Sequence, residues 1–213
     1  MSDVDEDWLE RIWEHREETI YPSLFGAESE GIFPIPAEQG GDPRWSTCGV
    51  FRFAPTETRK SWLYVSSGLS NAWFDESPDP SGTSGFGCEF IMETPEKADW
   101  PIIRIHQIMK YQIDICCGKH KGADPLGNHD RIPLGSAIDF GDSALTHLIL
   151  AKPPSIAQVL QQDSGSAEFY LMFGITQAER DFAKESGGEL LLDILRAEAG
   201  FPITNPSRES TKA

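Results

Sequence analysis

The segment from Trp62 to Pro95 most strongly constrains what this chain can fold into. It begins with an apolar stretch, Trp62–Ser66, and ends with Phe86–Met92, in which every second residue is apolar. An alternation of period two places apolar side chains on one face of a strand, so two β-strands are predicted. The connection between them is rich in Gly, Ser, Pro and Asp and is too long for a tight hairpin. The segment therefore predicts two strands that carry an exposed loop suited to recognition.

The rest of the chain adds helices and further strands. Helices are predicted at 4–21, 101–114, from Thr176 onward and at 189–198, and further strands at 50–53, 145–150 and 167–175. Thr176 and Glu179 have the spacing of a capping box, which predicts a helix start. Segments 26–48 and 118–143 are predicted to be irregular, because glycine, proline and polar residues interrupt them.

Strands and helices alternate without a strict βαβ rhythm, which favours the α+β class. The prediction is a single domain with a mixed, largely antiparallel sheet flanked by helices. This domain is expected to span residues 1–203, and the polar tail, 204–213, is expected to fray.

The charge of the chain bears on its partners. With 34 acidic and 18 basic residues, the formal net charge is −16. Such a surface repels phosphate backbones, which argues against nucleic-acid binding, and it favours encounter with a basic protein. A simpler explanation of the same net charge is that it only keeps the protein soluble. The acidic N-terminus is unlike a signal peptide, no stretch of about eighteen apolar residues is present, and no disulfide pattern is visible, so a cytoplasmic protein without membrane segments is predicted.

Three patterns suggest chemistry, and each has a plainer explanation. Cys116, Cys117, His120 and His129 are residue types that bind zinc, but adjacent cysteines rarely bind one ion. One of these cysteines could instead be a nucleophile paired with a histidine, which requires a low thiol pKa that an acidic chain disfavours. The plainer explanation is buried cysteines and ordinary loop histidines, so neither a metal nor a cofactor is predicted.

Glycines at 81–87 might form a phosphate-binding loop, but they lack the Lys-Ser/Thr of that motif and precede a strand instead of a helix. A turn that enters a strand explains them better. Acidic pairs at Asp124/Asp130 and Asp139/Asp142 could act in acid–base catalysis or bind a metal, but solvated loops explain them better.

Aromatic residues cluster around the second strand and the loop that follows it. Trp62 and Tyr64 share one strand face, where they would either pack into the core or anchor an interface. Trp73 and Phe74 lie beside Asp75 and Glu76, and they are expected to be partly exposed.

Two motifs in this region resemble the suppressor of fused family. Trp62–Trp73 reads WLYVSSGLSNAW and Ser84–Phe90 reads SGFGCEF, which closely resemble the family patterns W-x-Y-x-S-x-G-L-S and S-G-F-G-x-E-[FL]. Supporting matches follow in the same order at Cys116-x-Gly118-x-His120, at Leu145–Leu150 before Lys152-Pro153, at Gly174-Ile175-Thr176 with Glu179, and at Gly187–Leu191. The resemblance covers residues 45–200.

The resemblance implies a non-enzymatic binding module. Animal members restrain transcription factors of the hedgehog pathway by binding an extended peptide that adds as a β-strand. It also implies a contact surface formed by Tyr64, Leu69, Asn71, Trp73 and Phe74 with nearby acidic loop residues. The animal pattern has Asp where this chain has Asn71, and the animal protein has a second domain that this chain of 213 residues lacks, so recognition of the same peptide is not expected.

The leading hypothesis is therefore an immunity or regulatory protein that sequesters a protein partner. Single-domain members resemble prokaryotic proteins, some of which are proposed to neutralise toxins, and the charge of −16 would suit a basic toxin domain. The alternative is a cysteine- or metal-dependent enzyme that uses the 116–130 loop. A third hypothesis is a structural domain that assembles through its sheet edge.

Overall fold

Residues 3–26, 29–36, 47–72 and 79–211, which this computed structural model describes, build one eight-stranded sheet with helices on both faces. The strands are β1 (Ser29–Pro34), β2 (Gly49–Phe53), β3 (Trp62–Ser67), β4 (Thr83–Thr94), β5 (Arg131–Pro133), β6 (Leu145–Ala151), β7 (Val159–Gln162) and β8 (Gly165–Thr176). Their order is β1-β2-β3-β4-β8-β6-β5, and β7 also pairs with β8. Strands β4 and β8 run parallel, whereas the other described pairs are antiparallel. The predicted α+β class with a mixed, largely antiparallel sheet is confirmed.

Helices form at the two ends of the chain and in its middle. They are α1 (Asp3–Glu14), a π-helical segment (His15–Ile20), α2 (Tyr21–Phe25), α3 (Trp100–Cys116), α4 (Gln177–Ser186) and α5 (Gly188–Glu198). The first three are continuous and end at Gly26, whose positive φ of 65° is the left-handed conformation common after a helix. The capping box predicted at Thr176 is present at the start of α4.

Each face of the sheet has its own apolar layer. On one face, α3 packs its stripe of isoleucines and Met109 against side chains from β2, β3, β4, β6 and β8. On the other face, α2 covers one half of the sheet and α4 with α5 covers the other half. The alternation predicted for β4 is confirmed, because Cys88, Phe90 and Met92 all lie in the α3 layer.

Three short strands were not predicted, namely β1, β5 and β7. Each lies at an edge or pairs with a single neighbour. Strand β1 is mostly exposed, and buried residues alternate with exposed ones over only three residues in β5 and four in β7. Prolines at the ends of β1 and β5 also argue against a strand when only the sequence is read. Backbone pairing with a neighbouring strand forms these strands, and the pattern of apolar residues in the sequence does not reveal such pairing.

Residues 204–211, the described part of the tail that was expected to fray, are packed against the rest of the protein. Thr204 is buried, its backbone N–H donates to Glu93 O (2.8 Å), and its hydroxyl accepts from Gly174 N (3.1 Å). Arg208 then forms a bidentate ion pair with the fully buried Glu179, at 2.6 and 2.7 Å. The sequence of this segment is mostly polar and predicts no packing, because the groups that its side chains bind lie in distant parts of the chain.

Replacing Arg208 with Met is expected to destabilise the fold in a pH-dependent way. Burial alone would raise the pKa of Glu179, but Arg208 and the backbone N–H groups of Thr211 and Thr176 together hold it below its ordinary value of 4.5. At neutral pH the loss should be about 2 kcal/mol, somewhat less than for a fully enclosed pair, because water can reach a terminal segment.

A depressed carboxyl pKa stabilises the fold above the ordinary pKa, and this contribution is lost as the pH falls through the folded value. The difference between wild type and Arg208→Met should therefore shrink as the pH falls below about 4.5. Urea unfolding of both proteins at neutral and acidic pH measures this difference in the free energy of unfolding. The exposed Arg196→Met is the control, with an expected loss of about 0.5 kcal/mol or less. A difference that is constant with pH would contradict the assigned role of Glu179.

Candidate functional site

The turn that follows β3, residues 68–71, is held by a buried carboxylate. Glu89 of β4 is fully buried, and it accepts hydrogen bonds from Gly68 N (3.0 Å), Ser70 N (2.9 Å) and the Ser70 hydroxyl (2.7 Å). It also accepts one from the Ser66 hydroxyl. The side chain of Glu89 thus supplies the hydrogen-bond acceptor that a neighbouring strand would otherwise offer to the backbone N–H groups of Gly68 and Ser70.

An arginine from the π-helical segment holds the same turn from the other side. Arg16 is only 1% exposed, and its guanidinium donates to Asn71 Oδ1 (2.6 Å), Ser67 Oγ (2.7 Å) and Ser70 Oγ (3.2 Å). Glu17 accepts from the Ser67 hydroxyl (2.8 Å) and lies 3.4 Å from the guanidinium. π-Helical turns are rare overall but frequent at functional sites. The position of Arg16 in such a segment therefore makes the turn that it holds a candidate functional site.

Strands β4 and β7 complete the enclosure of the turn. The carbonyl of Ser70 accepts from Ser84 Oγ (2.7 Å) and from Gln162 Nε2 (3.2 Å), and Phe86 N donates to Leu69 O (2.8 Å). We call Arg16, Ser70, Asn71, Ser84 and Glu89 the anchor cluster. Two motifs that are separate in sequence, 66–71 and 84–89, thus meet around one turn.

Gly85 explains why the second motif begins with Ser-Gly. Its φ is +56°, and a Cβ at this position would lie 2.5 Å from Leu69 O and closer still to Asn71 O. Such distances are not found for real Cβ atoms, so any side chain here would push the turn away. Gly85 therefore permits the close approach of the turn to β4, whereas a Cβ on Gly87 would lie 2.9 Å from Thr83 Cγ2. Both glycines lie within β4 and do not form an anion-binding loop before a helix.

Tyr21 borders the anchor cluster beneath the sheet. Its hydroxyl donates to Ser66 O (2.7 Å). Burial raises the pKa of Tyr21 well above its ordinary value, and the neighbouring Glu89 carboxylate raises it further. The tyrosine therefore stays neutral and serves as a hydrogen-bond donor.

Three of the predicted contact residues lie inside the protein. Tyr64, Leu69 and Asn71 are all 0% exposed. Tyr64 lies in the α3 layer, and its hydroxyl donates to Ala98 O (2.8 Å) in the segment before that helix. Asn71 faces Arg16. A partner cannot touch these side chains in this structure, so a direct contact role for them has no structural support. Trp62 packs beside Tyr64 against the α3 layer, which agrees with the core interpretation of this pair.

Trp73 and Phe74, the other two predicted contact residues, lie outside the described residues together with Asp75 and Glu76. Their contact role stays a prediction. The anchor cluster fixes the chain immediately before them.

Within the described ranges, Asn71 Nδ2 and Gln162 Oε1 are buried polar atoms without a hydrogen-bond partner, and both belong to residues at this turn.

The residues of the enzyme hypothesis have separate partners. His120 stacks edge-on against Tyr111 of α3, at 5.2 Å between ring centroids, whereas His129 Nε2 lies 2.9 Å from Glu189 of α5. Cys116 and Cys117 are half-buried at the end of α3. No group of three or more His, Cys, Asp or Glu side chains that could bind a metal occurs among the described residues. The 116–130 loop therefore gives this hypothesis no assembled site.

Sequence reasoning did not find Arg16 or Glu89. Arg16 lies in a helix rich in Glu and Arg, where it looks like one more exposed charge. Glu89 did have a signal, because it is a charged residue between Cys88 and Phe90 in an otherwise apolar strand. A lone charge in a buried strand indicates a paired or multiply hydrogen-bonded group.

Comparisons with known proteins agree with this fold. A family model described as suppressor of fused protein (SUFU) matches residues 44–209. No curated protein matches the chain. In the part of the chain that the structure describes, no helix is long and apolar enough to cross a membrane.

Three solved structures share the fold. A chain of a Sufu–Fu complex is 21% identical, with a TM-score of 0.67 over 94% of this chain and 90% of that chain. A putative SUFU homolog from Neisseria gonorrhoeae FA 1090 is 17% identical, with a TM-score of 0.67 over 93% and 96%. Drosophila Suppressor of Fused is 21% identical, with a TM-score of 0.60 over 76% of this chain and only 42% of that chain.

Proposed function

This chain belongs to the suppressor of fused family, and we propose that it is a non-enzymatic protein-binding module that sequesters a protein partner, as an immunity or regulatory protein. The observation that carries the proposal is the anchor cluster, which commits a buried arginine and a buried glutamate to one turn. Buried polar groups that make several hydrogen bonds to one turn can impose a single conformation, and we propose that they do so here. The turn leads directly into Trp73 and Phe74.

The contact surface in this proposal is the loop that begins at Trp73. Trp73 and Phe74 would be its aromatic anchors, since aromatic residues contribute most to the energy of many interfaces. Tyr64, Leu69 and Asn71 would act as positioning residues that hold the base of the loop. Protein binding is further supported by the similarity to a Sufu chain that was solved in a complex with Fu.

The partner in this proposal is a basic protein, such as a toxin domain, or an extended basic peptide. The net charge of −16 supports it, because opposite charge speeds encounter and discriminates against acidic competitors. Arg16, Arg52, Arg180, Arg196 and Arg208 each lie within 4 Å of a carboxylate of this chain, so much of the positive charge is already compensated.

Affinity capture from the cell that produces this protein tests the proposal. The bait is the tagged chain, compared with the double variant Trp73→Ala/Phe74→Ala. The wild type should retain a basic protein, and the double variant should bind it roughly 30-fold more weakly, since two anchors of an interface commonly contribute 2 kcal/mol or more.

The matched control is Val159→Ala/Leu190→Ala. Both side chains are apolar and exposed, at 49% for Val159 and 48% for Leu190, and they lie on β7 and α5. The control should retain the partner as well as the wild type does. Retention of no protein, or equal retention by the loop variant, would refute the proposed contact surface.

A further inference from the structure

A cavity lies at the end of the sheet where β3 begins, and we call it the α2 pocket. It has a volume of about 690 Å³, which is within the usual range of small-molecule sites. Its walls come from the end of α2, the β2–β3 loop, the end of β4 and the segments at 155–156 and 202–203. The apolar part of the lining consists of Leu24, Phe25, Ile156, Pro202 and Ile203.

Hydrogen bonds between these segments fix the walls of the α2 pocket. The Arg59 guanidinium donates from Nη1 to Phe25 O (3.0 Å) at the end of α2 and from Nη2 to Ala54 O (2.7 Å). Thr204 N donates to Glu93 O (2.8 Å), which attaches the carboxyl-terminal segment to β4. A pocket whose walls are already in place pays little conformational entropy when a ligand binds.

Two cations, Arg59 and Lys60, line the α2 pocket without a carboxylate partner. Arg59 donates to three carbonyl oxygens, and each terminal nitrogen of its guanidinium retains a second N–H. Lys60 is exposed, and its ammonium donates to Thr56 O at 3.5 Å. Among the described residues, no carboxylate lies within 4 Å of either cation, whereas five other arginines each pair with one. In a chain with a net charge of −16, this pocket is therefore a local site of uncompensated positive charge.

A buried carboxyl, Glu93, also lines the α2 pocket and accepts a hydrogen bond from the Ser61 hydroxyl. Burial raises the pKa of Glu93, and this effect exceeds the opposing effects of Ser61 and of the charge on Arg59. The ionised form of this carboxyl is therefore disfavoured. No other acidic residue belongs to the described lining, so the pocket opposes an anion only weakly.

We infer that the α2 pocket binds a small phosphate monoester that carries an apolar group. A phosphate monoester has a charge of about −1.5 to −2 near neutral pH, which two cations match better than they match a single carboxylate. The remaining N–H groups of Arg59 and the ammonium of Lys60 bind the phosphate oxygens, because charge-assisted hydrogen bonds are the stronger ones in proteins. Leu24, Ile156 and Ile203 contact the apolar group.

The α2 pocket is separate from the loop after β3. Ser61 of the pocket precedes β3, whereas the turn at 68–71 follows it, and the six residues of this strand span roughly 20 Å. The ligand is a small molecule and not a protein, so the inference goes beyond the proposed function and does not depend on it. Either site can be tested while the other remains intact.

The experiment is a titration of the ¹⁵N-labelled full chain with phenyl phosphate, followed by amide chemical shifts. Shifts are expected in the β2–β3 loop at 56–61 and at Ile156 and Ile203. Inorganic phosphate should bind about fivefold more weakly, because it lacks the apolar group. Phenylacetate should also bind more weakly, because it has a single charge, and benzyl alcohol should not bind.

Two variants separate the two halves of the site. Lys60→Met should weaken the binding of phenyl phosphate and of inorganic phosphate by about two- to fivefold, as expected for one exposed ion pair. Ile156→Ala should weaken phenyl phosphate by about threefold and leave inorganic phosphate unchanged. Arg59 stays in place, because its bonds to carbonyl oxygens also hold the walls. The control Lys121→Met, which removes an exposed cation from the loop after α3, should leave both affinities unchanged.

Three results would overturn the inference. The first is that phenyl phosphate causes no shift at the α2 pocket, and the second is that phenylacetate or benzyl alcohol binds as tightly as phenyl phosphate. The third is that Lys121→Met weakens binding as much as Lys60→Met does, which would identify a general attraction of anions to surface cations. Trp73→Ala/Phe74→Ala should bind phenyl phosphate as the wild type does, whatever its effect on a protein partner.

Discussion

Replacing Glu89 with Ala should lower the free energy of unfolding by about 4 kcal/mol, because it leaves several buried donors without an acceptor. The donors are the backbone N–H groups of Gly68 and Ser70 and the hydroxyls of Ser66 and Ser70. None of them can turn to solvent, since the surrounding residues are buried. Glu89→Gln keeps the size and one acceptor oxygen, so it should cost about half as much.

Urea unfolding, monitored by tryptophan fluorescence, measures these losses. The matched control is Glu96→Ala, which removes an exposed carboxylate shortly after the same strand and should change the stability by about 0.5 kcal/mol or less. If Glu89→Ala is as stable as Glu96→Ala, the carboxylate does not hold the turn, and the anchor cluster loses its central member.

Replacing Arg16 with Met should cost about 3 kcal/mol and should also loosen the turn. Methionine fills much of the same volume, so the loss reports the hydrogen bonds and not a cavity. Asn71 Oδ1 and Ser67 Oγ would lose their charged donor inside the protein. Amide hydrogen exchange at residues 68–72 should speed up by more than exchange in β6, which lies away from Arg16.

Lys121→Met is the control for this change, because it removes an exposed cation from the loop after α3 and should leave both stability and exchange unchanged. Equal acceleration of exchange in the turn and in β6 would show that Arg16→Met destabilises the fold uniformly. Such a result would contradict a specific role of Arg16 at the turn.

Much of the fold follows from local patterns in the sequence. The apolar stripe of α3, the alternation in β4 and the capping box at Thr176 each act within a few residues, so the sequence alone reveals them. The edge strands and the packed carboxyl-terminal segment depend on partners far along the chain. Arg208 looks like a tail residue until Glu179, 29 positions away, is seen beside it.

The contact surface expected around residues 64–74 stays a prediction. Tyr64, Leu69 and Asn71 are buried, although the sequence suggested that they form part of a surface. Arg16 was missed because its partners lie more than 50 residues away. Burial of a charged side chain is decided by tertiary contacts, which a pattern of neighbouring residues does not contain.

The most direct test of the central claim is a calorimetric titration of the purified captured partner into the wild type, into Trp73→Ala/Phe74→Ala and into Val159→Ala/Leu190→Ala, at low and high salt. The account predicts saturable binding by the wild type and the control, weaker binding at high salt because opposite charges attract, and a roughly 30-fold loss in the loop variant. Equal affinity of all three proteins, or binding that salt does not change, would contradict it.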